Sequence, residues 1–139
     1  MGAWGMGSLE NDSSLDWLAD FEDLGPEAAV EILDATDHSL SEGYIDVDVG
    51  GGVIVLAEIL AASRGKPNPA LQEQLSGPLG QHRSALLAVD DLRPRTLKAL
   101  DAVLSGAESS ELYDLWEEAG AVDAWAEQVR EVKSRLAAA

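Results

Sequence analysis

The chain has 139 residues, 46% of them hydrophobic and 25% charged, with a net charge of −17 and no cysteine. That length and balance suit one folded domain, residues 1–139, with a real core, and argue against wholesale disorder. The missing cysteines exclude disulfides, zinc–thiolate sites and thiol catalysis, and the acidity argues against nucleic acid or an anionic membrane as a partner.

The charge is unevenly placed. No Lys or Arg precedes Arg64, yet fourteen of the 26 acidic residues do. The front of the chain therefore carries −14 and the back −3. Like charges on one folded surface repel, so this points to a cationic partner, a bound cation or solubility.

Residues 1–9 form a Gly-rich arm whose Trp4 is expected to anchor in the core. The arm has no basic stretch and no long apolar stretch, and no run in the chain approaches the ~20 apolar residues of a membrane span. A cytoplasmic location is the expectation. Asn11 or Asp12 caps a first helix that runs to Leu24 and stops at Gly25. Pro26 opens a second helix to about Leu40, with Val30 and Leu33 apolar and Ile32 and Leu40 on the flank.

Residues 44–49 alternate apolar and acidic, which reads as a short strand. Three glycines follow, Gly50 to Gly52, and then an apolar stretch to Ala62. A short β-hairpin across 44–56 competes here with a third helix. The length of the stretch, its Ala-rich end and the Gly65–Pro67 stop favour helix. Asn68 and Pro69 start a short helix to Leu75, and residues 76–80 read as a loop. Helices are expected over 81–92 and 94–104. Ser109 or Ser110 caps a helix bearing Leu112, Leu115, Trp116 and Ala119. The last helix, from Val122 to about Leu136, carries the stripe Val122, Trp125, Ala126, Val129, Val132 and Leu136. The expected fold is all-α, a compact bundle of six or seven helices in one domain.

Three patches of the chain resemble one bacterial family, the domain of unknown function 4259. They are Met1-Gly2-Ala3-Trp4-Gly5 with Asn11-Asp12 and Asp16-Trp17, then Glu42-Gly43-Tyr44-Ile45-Asp46 with Gly65-Lys66-Pro67, then Ser110-Glu111-Leu112 with Leu115-Trp116-Glu117-Glu118, Trp125 and Arg135-Leu136. The resemblance covers most of the chain and implies a compact, mostly helical domain. It implies no reaction. Residues 47–52 depart from the family pattern, which is more helix-friendly there.

The sharpest constellation is a stripe. Asp12, Asp16 and Asp20 recur every four residues, with Asp23 next, opposite Trp17, Phe21 and Leu24. Like-charge pairs at this spacing cost about 0.2–0.5 kcal/mol each. Glu27, Glu31 and Asp34 repeat the pattern on the second helix, and His38 continues it. One tight turn separates the helices, so the two stripes are expected to form a single negative surface. It reads as a solvated face, a docking surface for a basic protein, or a divalent-cation site.

Glu42, Tyr44 and Asp46 form a second candidate polar cluster, alternating to one side if the segment is extended. Asp46-x-Asp48-x-Gly50 fails as a calcium loop, because its twelfth position is Ala57 where a bidentate Glu is required. No catalytic residue, metal ligand set or cofactor motif emerges. The function expected from the sequence is a non-catalytic acidic module that binds or inhibits a basic partner, like an immunity protein or nucleic-acid mimic. The alternative is a divalent-metal-binding protein or metal-dependent enzyme using Glu42, Asp46 and the first-helix aspartates.

Overall fold

The computed structural model describes residues 7–139. The anchoring role expected of Trp4 lies outside the described residues. Among the described residues seven α-helices follow in order: α1 (Asp12–Leu24), α2 (Pro26–Glu42), α3 (Val47–Ser63), α4 (Gln72–Leu87), α5 (Leu92–Val103), α6 (Glu111–Glu118) and α7 (Val122–Ala138). A single 3-10 turn, Pro69–Leu71, leads into α4. The described residues contain no strand, so the all-α expectation holds.

Helix α3 is the axis, and α1, α2, α4, α5, α6 and α7 all pack against it. Every residue from Gly50 to Ala61 is buried. A helix that is apolar all round can lie only in a core.

The strand expected over 44–49 is corrected. Helix begins at Val47, and within 44–49 the sheet pairing seen among the described residues is an isolated parallel bridge between Ile45 and Ser110. Two acceptors explain the early start. The Asp46 carboxylate caps the helix by accepting from Val49 N at 2.9 Å, and Glu111 Oε1 accepts from Val47 N at 2.8 Å. They satisfy two of the donors that every helix start leaves orphaned.

The three glycines follow from packing. A Cβ on Gly50 would meet Leu112 of α6 at 3.0 Å, one on Gly51 would meet Ser13 of α1 at 3.2 Å, and one on Gly52 would meet Ile32 of α2 at 2.9 Å. Each glycine thus admits a different neighbouring helix. The local propensity cost of about 1 kcal/mol per Gly is set against that close approach.

The expected loop over 76–80 is also corrected, because α4 runs through it with Pro78 inside the helix. Proline there removes a backbone hydrogen bond and costs about 3 kcal/mol locally. Leu75, Pro78 and Leu86 are buried beneath it, so tertiary packing overrides propensity. The helix then stops at Leu87, short of the expected residue 92, and α5 starts at Leu92.

Trp17 and Trp125 are core residues at 7% and 3% exposure, as their stripes require. Leu24 and Leu40, read as apolar-face positions, are exposed, and α2 buries Ala28, Ala29, Leu33 and Thr36 instead. No helix among the described residues is long and apolar enough to cross a membrane.

Candidate functional site

Asp12, Asp16, Asp20, Glu27, Glu31 and Asp34 are all exposed. Their setting depends on where the few cations of the chain lie. Several basic side chains close helix ends, where unpaired carbonyls collect negative charge. Arg83 Nε donates to Ser63 O at 2.9 Å, at the end of α3. Arg93 Nε donates to Leu136 O at 3.0 Å, at the end of α7. His82 Nε2 lies 2.9 Å from Glu22 O near the end of α1, with its ring edge-on to Phe21.

Other cations hold carboxylates. Arg95 Nη2 bridges Asp34 at 3.0 Å and Asp37 at 2.9 Å, fastening α5 to α2. Hydrogen bonding to Asp34 is the main cause that raises the Arg95 pKa above its ordinary value. Lys133 pairs with Asp101, and Arg130 with Glu127 at 3.6 Å. Asp34 is thereby partly neutralised. Among the described residues no cation pairs with Asp12, Asp16, Asp20, Glu27 or Glu31.

The α1 stripe borders a groove of about 310 Å³ that also takes in Asp48 of α3. Asp16, Asp20 and Asp48 stand over Trp17, Ile32 and Val49. Ser13 Oγ donates to Asp48 Oδ1 at 2.7 Å and holds that carboxylate at the rim. No carboxylate of α2 lines this groove, so Asp48 joins the α1 stripe where Glu27 and Glu31 were expected to. The strand reading of 44–49 hid Asp48. Its place on the first turn of α3, beside Ser13, follows only from the packing of Gly51 on α1.

The second candidate cluster separates. Glu42 is the last residue of α2 and lies 3.1 Å from His38 Nε2, while Asp46 caps α3. Tyr44 is 42% exposed. Partial burial, then the charges of Glu111, Asp114 and Asp46, push its phenol above the ordinary value. Tyr44 therefore lies among Asp46 and the α6 carboxylates Glu111 and Asp114.

One carboxylate was missed altogether. Glu58 lies mid-way along α3 and is 2% exposed. Its Oε1 accepts from Arg135 Nη2 at 2.8 Å, and its Oε2 from Ser8 Oγ at 2.7 Å and Asn68 Nδ2 at 3.2 Å. Arg135 also donates to Glu131 at 2.6 Å and to Lys66 O at 3.1 Å. Hydrogen bonds to Glu131 first, and to Glu58, raise the Arg135 pKa against the opposing effect of burial. Among the described residues no group of three or more His, Asp or Glu is placed to hold a metal ion.

The family model described as Domain of unknown function (DUF4259) matches residues 2–128. The chain belongs to that family. No curated protein and no solved structure matches it. For this DUF4259 chain the functional reading therefore rests on its own acidic face and buried carboxylate.

Proposed function

We propose that the chain is a non-catalytic interaction module whose α1 face docks a basic protein and screens that partner's cationic surface. The observation that carries this reading is the distribution of cations. Arg83, Arg93, Arg95 and Arg135 serve helix ends and other carboxylates, while Asp12, Asp16 and Asp20 face solvent with no cation beside them among the described residues. An unneutralised stripe raises the association rate of a positive partner and fixes its orientation. The groove adds shape to charge. Its apolar floor of Trp17 and Ile32 suits the methylene stem of a Lys or Arg, and its rim of Asp16, Asp20 and Asp48 suits the charged head.

The test is capture at low and high salt, with the wild-type chain beside a variant carrying Asp16→Asn and Asp20→Asn. A basic protein held by the wild type, released by salt and lost from the variant supports docking through this face. Equal capture by both chains contradicts it.

A further inference from the structure

We infer a second binding site, independent of the docking face, in the cavity beside Glu58, and assign it to a small organic cation with a short apolar stem. The described residues leave a space of about 480 Å³ between the start of α1, the Pro69–Leu71 turn and α7. Small-molecule sites fall in the range of about 300–1,000 Å³.

The lining has the mixed character such sites need. Leu15 and Leu71 give apolar wall, and Gln74 and Gln128 place carboxamides at the rim. Among the described residues neither glutamine side chain makes a hydrogen bond. Glu10, Glu58 and Glu131 line the same space. Arg135 is the cation bonded to two of them, Glu58 and Glu131. The cavity is thus net negative.

Glu58 makes the cavity more than a surface hollow. An ionised side chain amid the apolar residues of α3 costs several kcal/mol to desolvate, and well-packed apolar residues in place of a buried ion pair are often as stable. Glu58, Ser8, Asn68 and Arg135 instead form a satisfied polar wall that fixes the edge of the cavity. A guanidinium or ammonium entering there meets the Glu10 carboxylate, whose Oε1 also accepts from Gly7 N at 3.0 Å, the remaining lone pairs of the Arg135-bound Glu131, and amide oxygens at Gln74 and Gln128. An alkyl stem lies against Leu15 and Leu71. An anion of the same size meets three carboxylates against the one guanidinium of Arg135.

Isothermal titration at physiological salt tests the site, with butylguanidinium and butane-1,4-diammonium as probes and butyrate as the anionic control. The wild-type chain is expected to bind at least one of the two cations at a single saturable site and to leave butyrate unbound. Ala70 and Gln128 are exposed positions on the cavity wall, so Ala70→Phe and Gln128→Leu alter the space while sparing the core. Each is expected to weaken binding by about tenfold or more, the equivalent of about 1.4 kcal/mol. The Asp16→Asn, Asp20→Asn variant is expected to bind as the wild type does. The inference is overturned if neither cation binds, if both wall variants bind normally, or if binding is multisite and falls with the α1 variant, which would mark general attraction to a polyanion.

Discussion

Glu58 and Asp16 are both carboxylates of the lysine- and arginine-free front of the chain, and the fold treats them oppositely. Glu58 is buried in the central helix with three side chains from distant parts of the sequence bonded to it. Asp16 stands in solvent beside two more aspartates with no cation near it among the described residues. Desolvation is the difference. A buried charge must be paired, so α7 supplies Arg135; a solvated charge needs nothing, so the stripe stays open. The uneven charge of the sequence therefore covers two physical settings, one buried and paired within the fold and one solvated at its surface.

Breaking the buried member of the comparison should have the largest effect. Arg135→Met leaves Glu58 without its cation, and removal of one partner from a buried pair costs about 3–5 kcal/mol. Adding Glu58→Leu to that variant should recover most of the loss, as read by urea midpoints. A single-variant cost of about 0–1 kcal/mol, the range of exposed pairs, would put Glu58 in the same class as Asp16.

The helices around the two carboxylates can be compared through their glycines. Gly52→Ala places a Cβ 2.9 Å from Ile32 Cδ1 and 3.1 Å from the Trp17 ring, and should destabilise by about 1–3 kcal/mol. At Gly77 and Gly80 of α4 an added Cβ would have nothing within 4 Å, so Ala at either should stabilise by about 0.5–1 kcal/mol. Thermal melts of the three variants check the pair of signs.

The open member should show a small effect of opposite sign. Asp16→Asn with Asp20→Asn removes the like-charge pairs along α1 and should stabilise by about 0.2–0.5 kcal/mol per pair. Added chloride should raise the wild-type urea midpoint more than the variant's, because screening acts on exposed charges. A wild-type midpoint that falls with salt would mean that attraction to the basic groups outweighs repulsion.

The smallest effect belongs to Tyr44. Its partial burial and the nearby Glu111, Asp114 and Asp46 raise its pKa above the ordinary 10.0. The folded state then disfavours the phenolate. The associated stability is complete below the unfolded value and is lost as pH rises through the folded one. Ultraviolet titration of the Tyr113→Phe variant should place the Tyr44 transition above the ordinary 10.0, and adding Asp114→Asn should bring it down.

Much of this arrangement was legible in the sequence, and the failures share a cause. The α1 stripe, the Gly25–Pro26 turn and the α7 pattern are local signals, and local physics carried them to the right place. The start of α3 and the passage of α4 through Pro78 were misread because packing on several helices outweighs three glycines and a proline. Glu58 looked like one polar residue in an apolar run. Its partners Ser8, Asn68 and Arg135 are 50, 10 and 77 positions away, and no periodicity links such distances. Asp48 was hidden by the same error that made 44–49 a strand.

The proposed docking face is tested most directly by mapping amide chemical shifts while a short oligolysine peptide is titrated in. The expected result is perturbation centred on Ser13, Asp16, Trp17, Asp20 and Asp48, fading as salt is added. Perturbation spread evenly to the exposed carboxylates of α6 and α7, Glu117, Glu118 and Glu127 among them, would contradict a dedicated face on α1.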